Sequence, residues 1–365
     1  MRIEKFEMER MQSTWEHRVR YDLSESGVEP LTLEGIAHLG EIASARLGYA
    51  DGRGREATRA LVAAIHPGAT AEHVLVTTGT SEANFLAVTT LVERGDEVVV
   101  VLPNYMQVHG LARGLGANVR EVWLHEDEGW RLDLDRLRAG VTGKTKLICI
   151  CTPNNPTGQI LSAEDLDAVA EVAGRHGAWV LSDEVYRGAE HDGVESPSMH
   201  GRAERVVVTG GLSKAYALPG LRIGWLVAPA EQARAAWAQK DHTTIATATV
   251  SELLAEAALG RRAELLERTR RLICERWPVL EGWAQAHGAD LHWTPPRAGA
   301  ICFFGYSYPV DSWPFVDRLI RERSTMVVPG SHSLAERHMR IGFGGPVAIL
   351  RAGLAEIDAA LAAIA

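Results

Sequence analysis

The chain has 365 residues, 46% hydrophobic and 23% charged, with a net charge of −9. At roughly 150 residues per domain this length predicts two domains and a large buried core, and ordinary globular composition argues against a disordered, collagen-like or coiled-coil chain. The acidic balance gives no footprint for nucleic acid or an anionic membrane. Residues 1–11 carry charge throughout and lack the apolar core of a secretory signal. No window approaches ~18 uninterrupted apolar residues, so neither a leader nor a membrane span is expected.

Residues 1–45 show no regular alternation of strand and helix patterns. From there on, short apolar runs alternate with longer helical ones. The predicted strands are 74–77, 97–102, 119–124, 146–151, 179–182, 205–209 and 222–227, and the predicted helices 81–93, 105–114, 163–176 and 230–238. The strand runs are nearly continuous in Val, Ile and Leu, as in strands covered on both faces. Ser162 followed by Glu164 and Asp165 marks a helix start, with acidic residues favoured by the N-terminal dipole. The pattern predicts an α/β fold, a mostly parallel seven-stranded sheet flanked by helices.

After about residue 245 the rhythm changes. A charged helical stretch over 249–286 is expected to break near Pro278. Short strands follow around 290–293, 300–305, 326–328 and 339–343, and a helix over 347–365. This predicts a second, smaller α+β domain. The expected division is residues 46–245 for the large domain and 1–45 plus 246–365 for the small one, with the N-terminal segment packed on the small domain. Cys149 and Cys151 stand two apart in an apolar run, on one face of a strand. No Cys-x-x-Cys pair and no Cys/His cluster with metal spacing occurs. Reduced thiols in a cytoplasmic protein are expected, and no metal.

Four short segments carry chemistry. Thr77-Thr78-Gly79-Thr80-Ser81 follows a strand and opens a helix, so its backbone amides can meet an anion; a plain N-cap reads the same way. Asn154-Asn155-Pro156-Thr157-Gly158 alone signals only a turn. Ser182-Asp183-Glu184-Val185-Tyr186 ends a strand, where a carboxylate faces a ligand crevice or caps a helix. In Gly210-Gly211-Leu212-Ser213-Lys214, Lys214 is either an exposed loop lysine or a desolvated amine able to form a Schiff base, with Arg222 eight residues on to hold a phosphate.

Together, in this order, the four resemble the pyridoxal-phosphate (PLP) enzymes of the class I/II aminotransferase family, fold type I, over nearly the whole chain. The resemblance implies that Lys214 carries PLP as a Schiff base and acts as base on the substrate Cα proton. It implies that Asp183 pairs with the protonated pyridine nitrogen, that Asn155 and Tyr186 hydrogen-bond the phenolic oxygen, and that Tyr105 stacks on the ring. Gly79, Thr80, Ser81, Ser213 and Arg222 would bind the phosphate, and Arg340 the substrate α-carboxylate. Tyr49 matches a tyrosine that reaches the neighbouring subunit's cofactor, which implies a homodimer with shared sites. Gly27 matches a glycine lying over the substrate. These residue types suit the chemistry: PLP accepts electrons from a Cα carbanion, and a buried carboxylate keeps the pyridine nitrogen protonated.

Two departures stand out. Where the family often has a phosphate-binding serine three residues before the lysine, this chain has Gly211; Ser213, Thr80 or Ser81 would then compensate. Near the N-terminus, Ser26-Gly27-Val28 is similar to the stretch in PLP-dependent cyclases of the capreomycidine synthase type, which act on hydroxylated arginines in antibiotic pathways. Glu25, Glu29 and Asp51 are expected near the substrate mouth, where a guanidinium can pair. The reading is an aminotransferase-family enzyme acting on an L-α-amino acid. The alternative is elimination and cyclisation of a hydroxylated arginine. A non-catalytic PLP-sensing domain is a third reading, disfavoured by the net charge. The side chain accepted and the amino acceptor are not legible.

Overall fold

The structure is a computed structural model and describes residues 2–37 and 39–364. Its large sheet has seven strands, in spatial order Val74–Thr77, Gly224–Val227, Val206–Gly211, Trp179–Asp183, Thr145–Cys151, Glu97–Leu102 and Asn118–Trp123. All neighbours run parallel except Gly224–Val227, which is antiparallel to the strand on each side.

Alternation along these strands divides the core in two. Val98, Val100, Leu147, Cys149, Leu181 and Val207 pack under helices Thr80–Leu91, Gln107–Leu115 and Ala230–Lys240. Val99, Val101, Ile148, Ile150, Val180 and Val206 join a larger core that includes Leu166 and Val169 of helix Ala163–His176 and continues into the second sheet. Register places Cys151, Asp183 and Thr209 side by side at the C-terminal edge of three adjacent parallel strands. In open α/β sheets that edge is where ligand crevices form.

The second sheet is antiparallel, ordered Val328–Pro329, His338–Gly342, Ile301–Tyr306 and Leu291–Trp293. The N-terminal segment does more than pack on it. Tyr21–Asp22 pairs with Thr325–Met326, Gly342 N–H donates to Leu23 O, and Leu31 N–H donates to Ala217 O beside the large sheet. Residues 23–31 therefore run between the sheets, past Lys214.

Most expected elements are present with ends moved by a residue or two. Helix Ala163–His176 starts at Ser162 in a capping box with Asp165. The expected break at Pro278 does not occur. Helix Arg262–Ala286 runs through it, held by buried Ile273 and Leu280 on either side. The break falls instead at Arg261, after helix Thr249–Gly260. The strand expected from 222 begins at Gly224, because Arg222 takes a left-handed conformation with φ 52°. The sequence reading missed helices Glu7–Trp15, Glu56–Ala63, Leu134–Gly140 and Ser312–Arg323. In the last of these Pro314 stands in the first turn, where its missing N–H has no intrahelical partner to lose. Among the described residues no helix is long and apolar enough to cross a membrane, and no group of three or more ligating side chains is placed to hold a metal.

Candidate active site

A cavity of about 290 Å³ opens at the sheet edge and is lined by Glu25, Thr80, Ser81, Tyr105, Asn155, Asp183, Tyr186, Ser213, Lys214, Arg222 and Arg340. The fold thus brings together eleven residues singled out from the sequence.

At one end the strand Val74–Thr77 turns into helix Thr80–Leu91 through Gly79, at φ 78°. No side chain caps this helix, so its first N–H groups and its positive dipole end are open to an anion. Arg222 lies against Gly79, where any Cβ would collide with the guanidinium. Its Nη1 donates to Pro219 O at 3.1 Å, and among the described residues it is in no ion pair. Gly211 is glycine for a steric reason: a Cβ there would lie 2.5 Å from Thr80 Oγ1 and 3.0 Å from Ile223 O. The Thr80 hydroxyl does not replace the missing serine, since it donates to Gly210 O at 2.9 Å. Ser81 and Ser213 retain that possibility.

Asp183 accepts from Asn84 Nδ2 at 2.8 Å and from Val185 N–H at 3.1 Å. Burial pushes its carboxyl above the ordinary carboxylate range, opposed by those two donors. No cation of the described residues pairs with it. Tyr186 donates its hydroxyl to Ser26 Oγ at 2.8 Å. Tyr105 donates to Glu9 Oε1 at 2.8 Å, and its ring tilts against Phe6 at 4.9 Å.

Lys214 Nζ lies 2.8 Å from Glu25 Oε1. Burial is the strongest influence and draws the amine down, but the Glu25 charge, Tyr186 and the hydrogen bond to Glu25 together outweigh it and the amine sits above its ordinary value. The Lys214 charge in turn holds Glu25 down to about 2, against the partial desolvation of a side chain still half exposed to solvent. Arg340, only 2% exposed, donates from Nη1 to Asn155 Oδ1 at 2.8 Å and from Nη2 to Ser24 O at 2.6 Å. Its Nε has no partner, and no carboxylate of the described residues pairs with it.

Tyr49, expected to reach a neighbouring subunit's cofactor, is 92% exposed and borders an open surface depression with Asp51 and Arg55, apart from this chain's own cavity. Gly27 stands beside the cavity; a Cβ on it would be 3.2 Å from Glu25 Oε1 and 3.8 Å from Lys214 Cδ. Glu29 and Asp51 are not at the mouth. Glu29 pairs with Arg276 at 2.9 Å and Asp51 with Arg53 at 3.7 Å, because neighbouring cations claim them first. The acidic lining comes instead from Glu9 and Glu16 together with Glu25. Glu9, Gln12, Ser13 and Glu16 lie on one face of the N-terminal helical segment, but with only Met8 and Met11 on the buried face the apolar period that would mark the helix is too short to read. Asn84 and Ser26 were also missed.

The sheet topology and this cavity define a fold type I PLP enzyme. Residues 34–357 match the family model for aminotransferase class I and II, and the chain belongs to that family. Among its relatives is the capreomycidine synthase of Streptomyces vinaceus, 34% identical over 351 residues, 93% of this chain and 90% of that one. A PLP-dependent aminotransferase from Streptococcus suis 89-1591 superposes with a TM-score of 0.94 at 29% identity, covering 100% of this chain and 99% of that one. The PLP-dependent cyclase OrfR superposes at 0.91 and 30% identity, with the same coverage. The protein is thus an enzyme that uses pyridoxal phosphate. Its cavity fits that cofactor: among the described residues, an arginine without an ion pair at an uncapped helix N-terminus for a phosphate, a carboxylate without an ion pair for a protonated ring nitrogen, and a lysine amine at the cavity wall.

Proposed function

We propose that this enzyme removes the Cα proton of an L-α-amino acid, with Lys214 as cofactor carrier and then as base. One observation carries the reading. Arg222 and Arg340, neither with a carboxylate partner among the described residues, both line the cavity that holds Lys214. Arg340 is a buried cation without an anion, which calls for one, and Arg222, exposed at the cavity rim beside an uncapped helix N-terminus, offers its guanidinium to a second. A phosphate suits the helix N-terminus beside Arg222, and an α-carboxylate suits the planar fork of Arg340.

When bound, PLP supplies an electron sink for negative charge at Cα. The chain's own residues do the rest. Arg222, the amides at Gly79, Thr80 and Ser81, and the Ser213 hydroxyl hold the phosphate. Asp183 holds a proton on the ring nitrogen. Asn155 and Tyr186 would hydrogen-bond the phenolic oxygen, and Tyr105 would cover the ring. Arg340 and Asn155 orient the α-carboxylate beneath Gly27, and Lys214 Nζ takes up the Cα proton. With PLP supplying that chemistry, Lys214 would return the proton and the substrate would leave as a keto acid.

Two observations favour a second outcome, elimination and cyclisation. The likeness to capreomycidine synthase spans nearly the whole chain, and Glu9, Glu16 and Glu25 line the same cavity. Once Lys214 is engaged elsewhere, the Glu25 carboxylate is released to face a cationic side chain. In this reading the substrate is a hydroxylated arginine. After Cα deprotonation the β-hydroxyl departs with its bonding pair and takes a proton to become water. A guanidine nitrogen then adds to the Cα–Cβ double bond formed.

The test is incubation of the PLP-loaded enzyme with arginine, β-hydroxyarginine and neutral amino acids, with mass analysis of products. A keto acid with pyridoxamine phosphate establishes transamination. A product lighter by one water, with PLP retained, establishes cyclisation. No change in any amino acid overturns both. The homodimer with shared sites and a cytoplasmic location belong to the same proposal. They are supported by exposed Tyr49 and by four free cysteines, three of them buried.

A further inference from the structure

We infer that Asn84 is the positioning residue of Asp183: a one-way hydrogen-bond relay, Thr209 to Asn84 to Asp183, sets how firmly the cofactor ring nitrogen is held protonated. The inference rests on the proposed role of Asp183.

Three elements assemble the relay. Asn84 lies in the second turn of helix Thr80–Leu91, the helix whose N-terminus forms the phosphate cradle. Asp183 ends its strand, and register places Thr209 directly beside it on the next. Thr209 Oγ1 donates to Asn84 Oδ1 at 2.7 Å, and Asn84 Nδ2 donates to Asp183 Oδ2 at 2.8 Å. A weaker contact runs from Asn84 Nδ2 to Gln107 Oε1 at 3.4 Å.

The direction of the relay is forced. A carboxylate only accepts, so the amide must turn its nitrogen to Asp183 and its oxygen to Thr209, whose hydroxyl then has to donate. Flipping the amide would set two oxygens against each other. Thr209 is 0% and Asn84 2% exposed, so water cannot take over the bond between them. With Val185 N–H on Oδ1, both carboxylate oxygens receive a donor. That favours the charged carboxylate over its protonated form, and burial works the other way. One rigid helix therefore fixes both the phosphate end of the cavity and the carboxylate meant for the ring nitrogen.

The experiment compares Asn84→Leu, Thr209→Val, Thr209→Ser and Asp183→Asn in the PLP-loaded enzyme. The readouts are the rate of cofactor release and the pH midpoint of the bound cofactor's absorbance change. Asn84→Leu should speed release on the order of tenfold, the scale of losing a hydrogen bond to a buried charge. It should also move the midpoint upward, because a ring nitrogen less firmly protonated withdraws less charge from the Lys214 nitrogen. Thr209→Val keeps the volume and should shift both readouts the same way by less; Thr209→Ser, which keeps the donor, should restore them. A merely structural role would move the unfolding midpoint but not the absorbance midpoint. If Asp183→Asn shifts both readouts while Asn84→Leu and Thr209→Val leave them unchanged, the relay is overturned. If Asp183→Asn leaves both unchanged, the role given to Asp183 falls and the relay with it.

Discussion

Glu25 and Lys214 control each other. An amine must be neutral to attack an aldehyde, and the Glu25 carboxylate keeps this one charged despite burial. Glu25→Gln should therefore lower the amine's pKa and speed PLP uptake by the cofactor-free protein near neutral pH. The rate-against-pH midpoint should fall, by about one unit or less; an unmoved midpoint would remove Glu25 from control of the amine. The sign for stability is opposite. A carboxylate held below its ordinary value contributes stability above 4.5 that is lost as pH falls toward about 2. Acid unfolding of the cofactor-free wild type and Glu25→Gln should then differ at mildly acidic pH and converge near the lower limit. With the Glu25 side chain 51% exposed, solvent screening keeps that difference to about 1 kcal/mol or less. Lys214, Asp183 and Asn155 were legible because each sits in a short motif whose residue types serve one reaction. Asn84 was not, because an asparagine inside a helix carries no local signal; its meaning comes from a strand 99 residues away.

Local rules decide some elements and lose to packing in others. Ser162 accepts from Asp165 N–H at 3.1 Å, and Asp165 Oδ2 accepts from Ser162 N–H at 2.9 Å. Ser162→Ala should cost about 1 kcal/mol, read as a lower urea midpoint with an unchanged slope. An unchanged midpoint would mean that sheet packing alone holds helix Ala163–His176. Pro278 is the opposite case. Proline disfavours a helix interior, yet the helix continues because Leu265, Ile273, Leu280 and Ala284 bury one stripe along its length. The break at Arg261 had a cue, the glycine that ends helix Thr249–Gly260. The short N-terminal helix Glu7–Trp15 was missed, although it brings Glu9 and Glu16 to the cavity. Its charged sequence buries only Met8 and Met11, too few apolar positions to show a period.

For the molecule as a whole, Leu47 and Tyr49 are 80% and 92% exposed on one short segment, a cost to solvation unless a second copy covers them. If Tyr49 completes the partner's phosphate site, mixing impaired Tyr49→Phe and inactive Lys214→Ala subunits should restore activity in dimers with one intact site. A fully active monomer in sedimentation would rule that out. The sequence by itself determined the fold class, the family, the cofactor and the order of the cavity motifs. The fold class rests on strand period and turn residues, and the family and cofactor on the resemblance that four short motifs, each within a few neighbouring positions, carry. Only the tertiary structure decided which groups face each other: Glu25 on Lys214, 189 residues apart, and Arg340 on Asn155, 185 apart. It also sent Glu29 and Asp51 to other cations and brought Glu9 and Glu16 to the cavity in their place. The physical reason is that electrostatic and hydrogen-bond energies depend on distance, and sequence separation sets no distance until the strands are in register and the N-terminal segment is threaded between the two sheets.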